Sequence, residues 1–228
     1  MLSKLRTCLT ELGARNTAWY VLARLLPAVG CHVWRYEFIA QKIAARALLA
    51  RPGNLTFSPI ATLADMPADY PRPRAVLASR FRQGGCNIAA WQRGELAAFL
   101  WYQFGAYQED EVRARYCLPS PHSCWDYDVF VQPQLRLGTA FCRLWDEANR
   151  CLRCRGIQWT CSRISSFNPA SLRSHRRFGT VNLGRATFLA CGRWQLMLAT
   201  LQPYVHVSGA PDCFPRLVFD TSCLESER

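Results

Sequence analysis

Two places in this chain bring together side chains able to move protons. In "CWDYDVFVQP", Asp126 and Asp128 stand two apart within a mostly apolar run. Residues two apart on a strand point to one face, so the spacing places two carboxylates on the same surface. Either could take a proton from an ammonium group, directly or through water, or hold the ammonium by charge. A strand face bathed in solvent accounts for the pair equally well. In "NPASLRSHRRFG", His175 follows Ser171 by four positions, which puts both on one side of a helix. An imidazole there could hand a proton to a leaving group, or serve only as a satisfied helix residue. The ends of this helix are readable. Asn168 can cap the free N–H groups of the first turn, Pro169 suits the first helical position, and Gly179 suits a left-handed stop.

A third place could hold an anion. In "VFVQPQLRLGTAFCRLW" a strand ends at Pro133, a turn carries Arg136 and Gly138, and a long helix begins near Thr139. A strand–turn–helix junction gathers unpaired N–H groups at the positive end of the helix, which suits phosphate. Arg136 adds charge, and Gly138 allows close approach of the backbone.

These residues carry a resemblance. Val131, Pro133, Arg136, Gly138 and Ala140 are similar to the acyl-CoA-binding motif of the GNAT superfamily of N-acyltransferases. Asn168, Ser171, His175 and Gly179 resemble the Asn-x-x-Ser motif that follows it there, with a strand between the two. The resemblance covers roughly residues 76–205. It implies acetyl-CoA or another acyl-CoA as co-substrate, held by Val131, Arg136, Gly138, Thr139, Ala140, Asn168 and Ser171. It implies direct attack of a primary amine on the thioester, with His175 near the departing thiolate and Asp126 or Asp128 as base. No metal is implied. Leu137 replaces a usual glycine, and Arg163 falls near where some relatives carry a catalytic glutamate.

The elements that must position these groups follow from periodicity. Residues 3–29 read as one or two helices, with Trp19, Leu22, Ala23, Leu26 and Val29 on a helical stripe that should pack on the domain. "VWRYEFIA" alternates as a half-buried strand, and "KIAARALLA" reads as a short helix. Residues 52–73 hold five prolines and read as loop. "AVLASRFRQGG" is a short helix, and "CNIAAWQRGELAAFLWYQF" a β-hairpin turning at "QRGE". The acidic run Glu109, Asp110 and Glu111 reads as a solvated turn. "CWDYDVFVQP" is a further strand, ended by Pro133, and is followed by the best helix of the chain, striped by Phe141, Leu144, Trp145, Ala148 and Leu152 and stopped at Gly156. "IQWTCSRI" is a strand, and "TVNLGRATFLACGRWQLMLATL" two strands around Gly192. This order predicts an α+β, α/β-layered fold: a mixed, mostly antiparallel central sheet flanked by helices. Residues 1–30 are expected to form a helical extension, 31–207 the main domain and 208–228 a tail.

Composition narrows the setting. The 228 residues carry a net charge of +12 and are half hydrophobic, which supports a large core and argues against disorder. The charge suits a phosphorylated cofactor, an acidic acyl carrier protein or a membrane surface met through the N-terminal helices. The basic residues are dispersed and match no nucleic-acid-binding motif, so no nucleic-acid partner is expected. The expected acceptor is a small-molecule amine. The twelve cysteines are scattered, and no secretory signal is read, so free thiols in a reducing cytoplasm are expected.

Overall fold

The structure is a computed structural model that describes residues 2–51, 53–177 and 179–225. In chain order its elements are α1 (Leu2–Leu25), a 3-10 turn (Leu26–Val29), β1 (Cys31–Lys42), β2 (Thr56–Ser58), α2 (Arg74–Arg82), β3 (Cys86–Gln92), β4 (Glu95–Gln103), β5 (Ala106–Gln108) and β6 (Arg115–Cys117). There follow β7 (Ser123–Val131), a 3-10 turn (Pro133–Leu135), α3 (Ala140–Cys154), β8 (Trp159–Ser165), α4 (Pro169–Arg177), β9 (Val181–Cys191), β10 (Trp194–Ala199), β11 (Val205–Ser208), β12 (Arg216–Val218) and α5 (Ser222–Glu225). The fold is mixed α+β, with a large, mostly antiparallel sheet flanked by helices. Among the described residues no helix is long and apolar enough to cross a membrane.

The chain divides into two compact units that interleave in sequence. One comprises the chain up to Gln41, Gln108–Cys117 and Cys161–Phe219; the other comprises Lys42–Tyr107, Leu118–Thr160 and the chain from Asp220.

In the first unit the strand order is β11-β10-β9-β1-β8. β1 lies inside this run, between β9 and β8, so both of its edges are paired. The expectation of a half-buried strand is corrected here: Arg35, Glu37 and Gln41 are buried with the apolar residues, because neighbouring side chains supply their partners. Arg35 donates to Thr187 Oγ1 at 3.0 Å. Phe38, Tyr116 and Phe219 form an aromatic cluster, with ring centroids 4.8–5.7 Å apart, and β12 pairs in parallel with β6. Cys31 and Cys191 stand opposite each other in the β1–β9 register, their Cα atoms 4.3 Å apart, and form a disulfide. Free thiols throughout are therefore not what the fold shows: strand pairing brings together two cysteines 160 positions apart. α1 is broken at Gly13, whose φ is +74°. Its stripe does not pack as expected, since Leu22 and Val29 remain exposed.

In the second unit the order is β7-β4-β3-β2. The β3–β4 hairpin turns through Arg93 and Gly94, with φ of +53° and +85°, the pair of left-handed residues that a two-residue turn matched to strand twist requires. α3 buries Leu144, Trp145, Ala148 and Leu152 against Ile88, Ala90, Leu100 and Tyr102 of β3 and β4. The short helix expected in "KIAARALLA" is absent. The N–H groups of Leu48 and Leu49 go instead to the Asp146 carboxylate on α3, at 2.5 and 3.3 Å, and that of Ile43 goes to Gln158 O at 2.8 Å. Tertiary acceptors there replace the helical ones.

Leu144→Ala removes a fully buried side chain from the α3–sheet contact and should lower the unfolding free energy by about 2–5 kcal/mol. Urea denaturation checks this; a loss under about 1 kcal/mol would mean that α3 is not anchored through this stripe.

Candidate functional site

The second unit holds the turn and the two strand carboxylates. β7 does not alternate regularly. Its pairing with β4 runs Phe99↔Phe130 and then jumps to Trp101↔Tyr127, and Asp128 at the jump has a φ of +52°. This is a β-bulge, in which an extra residue bends the strand and re-aims its side chain. The two-residue rule that placed Asp126 and Asp128 on one face therefore does not carry through Asp128. Asp126 is buried and pairs across the sheet with Tyr102.

Asp128 is clamped. Arg72 Nε lies 3.0 and 2.8 Å from its two oxygens, and both Arg72 and Arg80 form ion pairs with it. The two guanidinium groups rest on aromatic rings: Arg72 over Phe99 and Phe130, Arg80 over Trp101 and Tyr127, at 5.1–5.7 Å. A non-glycine residue in the left-handed region is disfavoured, less so for Asp than for most. Two cations held by their own stacking keep the carboxylate there. Arg72 and Arg80 were not among the sequence-derived candidates. Their signal would have been long range, because an arginine in a proline-rich loop and another in a short helix say nothing locally about a strand carboxylate.

The junction after β7 is arranged as its sequence suggests. The 3-10 turn Pro133–Leu135 leads through Arg136, Leu137 and Gly138 into α3, whose N-cap residue, Thr139, makes no side-chain cap. The first N–H groups of a helix have no acceptor within it, and here the side chain of Thr139 does not supply one. Arg136 donates through Nε to Val131 O at 3.0 Å, which ties the base of its guanidinium to the end of β7. Leu137 is fully exposed. The uncapped start and the adjacent charge fit an anion such as phosphate. Val131 and Ala140 are buried on either side of this exposed turn.

The first unit holds Asn168, Ser171 and His175. Asn168 Oδ1 accepts the Ser171 N–H at 3.0 Å, and Gly179 has a φ of +70°, so the cap and the stop form as the residues indicate. His175 is half-buried, and its Nδ1 lies 3.3 Å from Gln41 Oε1. A carbonyl oxygen only accepts, so Nδ1 carries the proton and Nε2 keeps its lone pair. Burial lowers the His175 pKa, favouring this neutral form.

Two buried acidic groups of this unit were not picked out from the sequence. Glu37 accepts from Ser166 Oγ at 3.3 Å, Asn182 Nδ2 at 3.4 Å and Arg185 Nε at 3.1 Å. Glu109 is buried, not in a solvated turn: Arg163 clasps it through Nε and Nη2 at 2.6 and 2.8 Å. Arg163 also reaches Glu111 at 2.8 Å and lies 4.2 Å over the Tyr36 ring. Tyr36 donates to Glu111 at 2.7 Å, and burial pushes its hydroxyl well above the usual tyrosine range, so it remains a donor. The alternation of Arg35, Glu37 and Gln41 along β1 was the one available sign of a buried polar face. Among the described residues no cluster of His, Cys, Asp or Glu could hold a metal ion.

No protein-family model matches this sequence, and no curated protein does. Solved structures resemble it in layout. A functionally unknown conserved protein from Staphylococcus epidermidis is 9% identical, with 74% of this chain and 65% of that one aligned at a TM-score of 0.48. A tandem GNAT protein from the clavulanic acid biosynthesis pathway is 15% identical, with 74% and 57% covered at 0.47. A GCN5-related N-acetyltransferase from Sphaerobacter thermophilus is 14% identical, with 76% and 55% covered at 0.46. Several such neighbours are GCN5-related N-acetyltransferases. The chain spans less than two thirds of the length of the three structures described.

Two outcomes follow from the geometry. Asp128→Asn leaves two stacked guanidinium groups without their counter-charge and should destabilise the fold by about 3 kcal/mol, read from the denaturation midpoint; unchanged stability would show that the clamp holds nothing. The second concerns pH. The unfolded chain binds the His175 proton near the ordinary value of about 6.5, and the folded chain binds it only at lower pH. Within that window the unfolded state holds more protons, so stability falls as pH drops through it. His175→Gln should reduce this acid-side loss between about pH 7 and 5; identical pH slopes in the two proteins would contradict the buried, neutral imidazole.

Proposed function

We propose that this protein is an N-acyltransferase that moves an acyl group, acetyl in the simplest case, from acyl-CoA to a primary amine. The observation that carries this reading is the junction at residues 131–140: a strand end, an exposed turn bearing Arg136 and Gly138, and a helix start without a side-chain cap. Those N–H groups and the arginine would hold the donor's phosphates, with Val131, Thr139 and Ala140 shaping the same turn. Asn168 and Ser171 are assigned to the remainder of the donor by the resemblance of their motif.

The chemistry needs no covalent enzyme intermediate. The amine nitrogen attacks the thioester carbonyl, the C–S bond breaks as the C–N bond forms, and one amine proton ends on the thiolate sulfur. A neutral His175 with a free Nε2 lone pair suits this transfer: it accepts the proton from nitrogen and returns it to sulfur. Asp126 remains the strand carboxylate assigned to the ammonium group. Asp128 enters this reading as the clamp that shapes β7. A cytoplasmic setting suits the use of acyl-CoA.

A second donor is favoured by one observation. Leu22, Leu25 and Val29 are exposed on a chain of net charge +12, which suits a longer acyl chain carried on CoA or on an acidic carrier protein. One experiment addresses both donors. A ligand that binds only the folded state raises its stability, so melting is followed with CoA, acetyl-CoA and decanoyl-CoA. CoA should raise the melting temperature, and Arg136→Glu should weaken its binding at least tenfold. Equal affinity in wild type and variant removes this turn from the site. A gain of about 0.8 kcal/mol per buried methylene from acetyl to decanoyl supports the long-chain donor, whereas equal binding supports acetyl.

A further inference from the structure

The solvent-facing side of α3 is not left to solvent. Leu144, Trp145, Ala148 and Leu152 face the core, so Arg143, Asp146, Arg150 and Arg153 lie on the opposite side. Residues 44–49 and 53–57 lie against that side. Asp146 takes the N–H groups of Leu48 and Leu49, and Arg153 donates to Ala44 O. A Cβ on Gly53 would stand 3.1 Å from Arg143 Nε. These residues and the helix enclose a cleft of about 340 Å³, at the small end of the range for ligand sites, roughly 300–1,000 Å³.

The charges in this cleft do not balance. Its two carboxylates are occupied: Asp146 by backbone N–H groups and Glu147 by Arg150 at 2.6 and 2.9 Å. Arg46 has no ion pair among the described residues; Arg143 donates through Nη1 to Leu49 O at 3.5 Å, and its Nε is buried without a hydrogen-bond acceptor among the described residues. An anion in the cleft would give the outer N–H groups of these two guanidinium groups a charged acceptor. Leu55 and Phe57 form an apolar wall beside these cations.

We propose that this cleft binds a phosphate monoester with an aromatic or apolar body. The dianion takes the guanidinium groups of Arg46 and Arg143, whose planar forks match phosphate oxygens, and the body lies against Phe57 and Leu55. The cleft is lined by none of the residues assigned to the donor turn, and the proposal does not depend on the acyltransferase reading.

The test uses the full chain and phenyl phosphate, with inorganic phosphate, phenol and benzoate as comparisons, by calorimetry at low salt. Phenyl phosphate should bind at least tenfold more tightly than inorganic phosphate or phenol. Arg46→Glu is an exposed change that should leave the fold intact and weaken binding at least tenfold, as should Arg143→Gln. Arg136→Glu should leave it unchanged. No binding of phenyl phosphate, or equal binding in the Arg46 and Arg143 variants, overturns the proposal. Loss of binding with Arg136→Glu alone would assign the probe to the turn, and benzoate binding as tightly would overturn the choice of phosphate.

Discussion

A charge taken out of water must meet its counter-charge, and each unit of this protein is arranged around that demand. Glu37 is met by Arg185, Glu109 by Arg163, and Asp128 by Arg72 and Arg80. Breaking such a pair leaves an uncompensated ion, which costs more than the intact pair contributes. The pairs therefore act as constraints on where strands and loops sit. The clearest case is β7, where an unfavourable backbone conformation at Asp128 is held by two cations that are themselves stacked on four aromatic rings.

This demand shapes the chemistry that is left. The paired carboxylates are committed to arginines and are poor choices for a mobile proton. The group that stays available is neutral: His175, oriented by Gln41 and kept unprotonated by burial. The groups offered to an anion are likewise those arginines that have no ion pair among the described residues. One set is the uncapped start of α3 beside Arg136. The other is the cleft of Arg46 and Arg143 against the side of the same helix that faces away from the core. A protein with 28 basic and 16 acidic residues has arginines to spare once its buried acids are neutralised.

What could be read from the sequence was local. The β3–β4 hairpin, the α3 stripe, the Asn168 cap and the Gly179 stop each depend on residues within a turn or two of one another, and each formed as those residues dictate. The strand–turn–helix at 131–140 was legible for the same reason, since its features are consecutive.

Tertiary structure decided whatever required a distant partner. "KIAARALLA" has the composition of a helix but gives its N–H groups to Asp146 and Gln158. β1 alternates like a strand with one wet face, yet β8 and β9 flank it and its polar residues find buried partners. Asp126 and Asp128 have the spacing of a shared face, but a bulge intervenes. Cys31 and Cys191 became a pair only through strand register. The amino-acid sequence alone determined the type of most elements and the residues of the turn, because dihedral preferences and hydrophobic period act over a few positions. Which charges would be buried, and which arginine would answer each acid, was decided by packing, because a Coulomb partner is chosen by distance in space and not by distance along the chain.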